Sequence, residues 1–516
     1  MKRYVNEGRG IHRQMWSTTS PRFGFSAMLC VLLAIAAICV FSACAAVAPS
    51  SGTEVSSGEG ETTAAPGASD TEGTAAQPDG YTLGGRDIAD FTILLPKRAD
   101  RDEKYAAAII ARAIEERTGV EIKPQNVSGL NAAEEAAAAD AVIMIGDAFG
   151  VAVGEREMKM GAFGDSPAHI TVAGQGGYIV AAARRFISLY IEKLELGAAV
   201  AAAPAVTESF EAAVYPADPA GIVGGTHIAL ADQLNAACVV VDLANGGNSA
   251  PLWSFSGGID HGFSVPIGNR IDECRLRYSE VLGEYILCCT SSSGMVNVAK
   301  YPSGDRVFEV VLSGFGPHSI EYLPSGAVAV ACSGNGNEAR AMIRFYPADG
   351  EGVISRNAKT FALEGAHGVI WDDVREVLWT VGTKEIVAFE VRGEGREAEI
   401  CEISDYGAVL PKAGGHDISA VYGDPDSLWI GGANIVLFNK SGGRFTAAPG
   451  SVSSGGIKCI GSLFDGRIIR TKATNVYAAH NTDRFIVYDA DGNIVSTCIF
   501  PSRAFYKARI FDPRYT

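Results

Sequence analysis

The chain has 516 residues, enough for about two or three domains, and its 59 acidic against 43 basic side chains give a formal net charge of −16. That balance excludes a general nucleic-acid binder, whose phosphate contacts need a basic face. A hydrophobic fraction of 47% with 60 glycines describes a globular, turn-rich protein rather than a fibrous or disordered one.

The first feature in chain order is a leader. Lys2, Arg3, Arg9, Arg13 and Arg22 precede an apolar run at residues 24–44. A basic flank, an apolar core and small residues make a secretion signal. Its ending, "FSAC", resembles a bacterial lipobox, which implies lipidation at Cys44; Phe41 stands where that motif usually has Leu. The other reading is an uncleaved anchor, since about 20 apolar residues span a bilayer. Both readings put the rest of the chain outside the cytoplasm, tied to the membrane. Residues 1–44 are therefore expected to be a signal peptide. Residues 45–80 are Ser, Thr, Gly, Ala, Pro and acid, a composition that stays disordered and tethers over roughly 30 Å or more.

Residues 81–216 read as a small α/β domain. "DFTILLP", "DAVIMIGDA" and "HITVAG" are strand-like. "DRDEKYAAAIIARAIEERTGVEI" is a helix with Ala107, Ile110 and Ile114 on one face, capped by Asp100 or Asp102 and ended by Gly119. "GGYIVAAARRFISLYIEKLELG" is a second amphipathic helix. The stretch "ILLPKRADRDEKYAAAIIARAIEERTGVEI" resembles the small α/β domain that precedes the catalytic barrel in family 20 glycoside hydrolases, and the likeness covers roughly residues 90–197. In that family the domain is an accessory without catalytic residues. The resemblance implies a carbohydrate setting and no reaction.

Residues 217–516 change character. Short Val/Ile/Tyr/Phe/Trp-rich runs alternate with Gly, Pro, Asn and Asp turns, which reads as all-β. His318, His367 and His416 are spaced 49 residues apart each time. Aligned on the glycine that closes the next turn, Arg275 (before Gly283) and Lys458 (before Gly466) fall in the same slot. A repeat of about 40–50 residues with four strands per unit predicts a β-propeller. Five units start at these residues; a sixth joins "HIALADQLNAACVVVDLANG" to "FYKARIF". The fold expected is thus multidomain, a small α/β domain followed by an all-β six-bladed β-propeller. The motifs "HIALADQ", "HSIEYLPSG", "AHGVIWDDVREVLW" and "GHDISAVYGDPDSLW" resemble a bacterial propeller family of unassigned function, a likeness that is silent about activity. Eight cysteines lie beyond residue 216 without a CxxC pair. They read as buried thiols acting as small hydrophobes, not as a zinc site.

The residue opening each innermost strand belongs at a channel mouth. Arg275, His318, His367, His416 and Lys458 are therefore the candidate binding residues, with Gln233, Asp232, Tyr278 and Tyr322 in support. Trp253, Trp371 and Trp379 are stacking candidates that fit a structural role better. Arginine and lysine with histidine suit an anion, here an acidic glycan, whose binding would tighten below about pH 6.5 as histidine gains its proton. Neutral imidazoles at His318, His367 and His416 suit a divalent metal instead. The same three are candidate bases for a lyase acting on a uronate, by analogy with oligogalacturonate lyases. Alternatively each histidine caps its own blade, and the propeller is a protein-interaction scaffold. The expectation is a surface lipoprotein that binds or processes an acidic carbohydrate.

Overall fold

The computed structural model describes residues 80–515, apart from 130, 212, 225, 249 and 454; the leader, Cys44 and the linker lie outside the described residues. No described helix is long and apolar enough to cross a membrane.

A six-stranded sheet comes first. Its order is Gln125–Asn126, Thr92–Leu95, Val142–Ile145, His169–Gly174, Glu157–Ala162 and Val206–Ser209, parallel in the first half and antiparallel in the second. The helix Arg101–Thr118 starts where Asp100 accepts from the Glu103 N–H while the Glu103 carboxylate accepts from the Asp100 N–H, a capping box. It stops at Gly119, whose φ of 75° only glycine adopts cheaply. Ala107, Ile110 and Ile114 are fully buried, against the helix Tyr178–Phe186 and beyond it.

Apart from a small three-stranded sheet of Arg86–Asp87, Thr82–Leu83 and Ala199–Val200, the rest is built from antiparallel sheets. Five start with the strands Ile271–Ser279, Pro317–Tyr322, Gly368–Asp372, Gly415–Val421 and Ile457–Ser462, and each runs outward through consecutive strands of the chain. Runs such as Glu284–Ser291 ("EYILCCTS") are buried on both faces, because each sheet is covered on two sides by its neighbours. Hairpins close on glycines such as Gly326 and Gly466, at φ of 86° and 84°. The sixth sheet is composite: Trp253–Phe255, Ala237–Asp242 and His227–Asp232 are followed by Phe505–Ile510, about 270 residues later in the chain. Each first strand touches the next, and Phe505–Ile510 touches both Ile457–Ser462 and Ile271–Ser279, so the succession closes on itself. The chain is mostly β and multidomain in its make-up.

The described residues nevertheless belong to one compact unit. A single apolar cluster runs from Ile110 and Phe186 of the helices into Trp379, Ile418 and Phe438 of the β sheets. Beside it lies a knot of buried charge. Arg375, fully buried, donates to Asp102 through Nε (2.8 Å) and Nη2 (2.6 Å). It also pairs with Asp372 and Asp426, and Lys440 reaches Asp372 at 2.6 Å. Nearby, Tyr105 and Arg112 both donate to Glu390. Partners this complete are what make buried charge tolerable.

Candidate functional site

The first strands carry a β-bulge at the same place. The pairing register shifts at Asp272, His318, His416 and Lys458, and again where Phe505–Ile510 passes Leu230 and Asp232. His367 stands one residue before its strand, with its N–H on the Val381 carbonyl. Bulges re-aim side chains, and these bring six groups together: Asp272, His318, His367, His416, Lys458 and Tyr506. His318 and His367 lie 4.7 Å apart by ring centroid, His367 and His416 4.4 Å. Tyr506 lies 5.9 Å from His318 and 5.7 Å from His416. Lys458 Nζ donates to His416 Nε2 at 2.9 Å, and the Tyr506 hydroxyl is 3.0 Å from the same nitrogen. Gln233 joins through Asp272, 3.3 Å from Nε2 to Oδ1.

Arg275 is not in this group. Its slot is held by Asp272, three residues earlier, because the first hairpin is longer than the others. Ser279 pairs with Glu284 there, whereas the next sheet turns at Tyr322 and Val328. The turn glycine therefore marks a different distance from the bulge. Arg275 instead lies deeper and pairs with Glu321 at 2.5 Å and Glu273 at 3.4 Å. Of the supporting residues, Tyr322 bonds Ser279 at 2.8 Å. Asp232 is engaged in the turn, with Asn235 and Arg503. Trp371 and Trp379 are buried in the core, and Trp253 packs on Phe255 and Tyr301. Tyr278 packs against Tyr215 and Tyr285.

The histidines keep some surface to solvent, yet burial dominates their titration. It pulls His318 and His416 well below the usual imidazole range, reinforced by His367, and brings His367 to about 4. All three are neutral at pH 7, so the gain of anion binding expected near pH 6.5 has no basis here. Nδ1–H of His318 donates to the Gly316 carbonyl (2.8 Å) and that of His367 to Gly365 (2.6 Å). Each Nε2 is left with its lone pair. Among the described residues, His416 Nδ1 is buried without a hydrogen-bond partner. Burial lowers Lys458 to about 8 while Asp272 opposes it, and burial lifts Asp272 to about 7.

Among the described residues, the group of three donors drawn within 4.8 Å is Cys238, Cys274 and Cys289, not the histidines.

Below the cluster lies a buried ionic network that spacing did not reveal. Lys507 contacts Glu273 and Asp417, each at 3.1 Å. Arg509 spans the same two carboxylates, with Nε at 2.7 Å from Glu273 and Nη1 at 2.9 Å from Asp417. Arg277 forks onto Glu321 (2.6 and 2.9 Å). Burial would raise the Glu273 carboxyl, but Arg509, Lys507 and Arg275 hold it well below the usual range. Beyond the network, toward the far ends of the same strands, Arg275, Arg277, Ser419, Tyr422, Ser462 and Arg509 line a small cavity of about 30 Å³.

Residues 226–483 match the model of a family of unknown function, DUF6528. The chain belongs to this family. No curated protein matches it. Among solved structures, a functionally unknown protein from Desulfotomaculum acetoxidans is similar over 56% of this chain and 100% of its own, at 10% identity and a TM-score of 0.39, too distant to bear on function. The DUF6528 match contains His318, His367, His416 and Lys458 and stops short of Tyr506 and the ion-pairing Lys507 and Arg509.

Proposed function

We propose that residues 217–516 form a six-bladed β-propeller whose histidine-lined mouth binds an acidic carbohydrate, in a lipoprotein anchored through Cys44 on the extracytoplasmic face. The closed succession of six sheets supports the propeller, since closure removes exposed strand edges. The likeness of residues 90–197 to a carbohydrate-associated accessory domain supports the substrate class.

The observation that carries the reading is the pairing of Lys458 with a neutral imidazole, 2.9 Å away, instead of a carboxylate. Its charge is offered to a ligand anion, while the Nε2 lone pairs of His318 and His367 accept sugar hydroxyls. A uronate carboxylate on Lys458 makes a charge-assisted hydrogen bond.

The test is calorimetric titration with oligouronates and with neutral oligosaccharides of equal length. Uronates are expected to bind, and less tightly in high salt. Two ionisations set the pH dependence with the same sign. Asp272 gains negative charge as pH rises through about 7, and Lys458 loses its positive charge through about 8. Affinity therefore falls across that window. Lys458→Met should weaken binding by about 1.5–3 kcal/mol with little change in melting temperature. Failure of any uronate to bind at low salt below pH 7 would remove the reading. A lyase is the second reading, favoured because Asp272 and Lys458 both titrate near neutrality, where acid–base catalysts work best. Release of unsaturated uronide from the bound oligomer distinguishes it from simple binding.

A further inference from the structure

Three thiols meet in the core between two sheets, away from the histidine cluster. Cys274 and Cys289 are direct partners across the strands Ile271–Ser279 and Glu284–Ser291. Cys238 comes from Ala237–Asp242 in the neighbouring sheet. All three are at most 1% exposed, and their sulfurs lie within 4.8 Å of one another. Cys289 Sγ and Cys274 Sγ are 3.8 Å apart. Two sulfurs bound to one ion at about 2.3 Å stand about 3.8–4.0 Å apart in tetrahedral or trigonal geometry, so this pair already has the spacing of shared ligands.

We propose that Cys238, Cys274 and Cys289 form a buried site for one soft monovalent metal ion, Cu(I). The donor set is all sulfur, which selects soft ions. Around the thiols lie Phe255, Ile271 and Leu276; the polar groups nearby are the Leu230 carbonyl, 3.9 Å from Cys274 Sγ, and the buried Asn297 opposite Cys289, hard oxygen and amide groups that leave the three sulfurs as the soft donor set. Charge balance sets the number of protons released. One Cu(I) entering three thiols and expelling one proton leaves one thiolate, two thiols and a neutral site. Each further proton lost would leave uncompensated negative charge in an apolar shell. The bound ion would pin the composite sheet to its neighbour. This inference is independent of the carbohydrate reading.

The full chain is purified under nitrogen without added copper and titrated with Cu(I) held by bicinchoninate. The expected result is one Cu(I) per chain, about one proton released per ion, a higher melting temperature, and a copper absorption-edge spectrum with sulfur as the sole near scatterer. Cys238→Ala and Cys289→Ala should weaken binding more than about 100-fold, beyond the loss typical of an outer-shell change, while Cys459→Ala leaves it unchanged. The proposal is overturned if the folded wild type takes no copper from the indicator. Nitrogen or oxygen scatterers, Zn²⁺ bound as tightly as Cu(I), binding that survives Cys238→Ala, or a Cys274–Cys289 disulfide in the protein as expressed would each overturn it too. Should the alanine variants fail to fold, the wild-type titration and spectrum still decide.

Discussion

The neutral imidazoles of the mouth make stability depend on pH in a defined direction. His318, His367 and His416 bind protons less readily folded than the ordinary value near 6.5. Between about 6.5 and the folded values the unfolded chain holds more protons. Acid therefore favours unfolding, and this stability is lost as pH falls through that window. Calorimetric melting at a series of pH values should show the midpoint falling below pH 6.5. His367→Gln, which cannot titrate, should flatten that slope down to about pH 4. Asp272 acts with the opposite sign. Its folded value is raised to about 7, so its contribution is present in acid and lost as pH rises through 7. Asp272→Asn should make the protein relatively more stable above pH 7 than the parent. An unchanged profile in both variants would mean that these groups titrate as they do in water.

At the scale of the element, the strand Phe505–Ile510 supplies the counter-charge for two others. Arg509→Met leaves Asp417 with Lys507 and Glu273 with Lys507 and the more distant Arg275, and breaking a buried pair on one side costs about 3–5 kcal/mol. Urea melting should show a loss of that order. Pairing it with Asp417→Asn should recover part of it, since residues in one network are not additive. Much of the strand pattern was legible in the sequence, because hydrophobic runs and turn glycines recur at regular intervals. The histidine cluster was legible for the same reason. Arg275 was misplaced because alignment on the glycine measures from the end of a hairpin, and the first hairpin is three residues longer. Aligning on the start of each strand would have put Asp272 beside His318. Tyr506, Lys507 and Arg509 lie in "FYKARIF", the run read as closing the sixth unit, but no turn glycine follows it to set which of its residues takes the slot, and its strand pairs with His227–Asp232, far back in the chain.

At the scale of the molecule, the α/β layer and the β sheets share a core and a charge knot. The sequence showed an amphipathic helix over residues 101–118, but not what its buried face and Asp102 meet. Arg375 lies in the motif "AHGVIWDDVREVLW", which gives no sign of a distant partner; Asp102 is 273 residues away. Asp102→Ala leaves Arg375 buried with fewer partners and should cost about 3–5 kcal/mol. Calorimetry should show one cooperative transition for the parent chain, because the interface is continuous with both cores. Two transitions, with the Asp102 variant affecting only the first, would mean that the halves unfold separately.

The network around Lys507 and Arg509 also orders events in time. Synthesis delivers Glu273 and Asp417 well before the strand that neutralises them. Until that strand arrives Asp417 lacks both of its basic partners and Glu273 keeps only Arg275, so water is the better surrounding for both carboxylates. Docking of Phe505–Ile510 exchanges that water for two cations in one step. A chain that stops before residue 505 therefore lacks the two cations that let both carboxylates be buried.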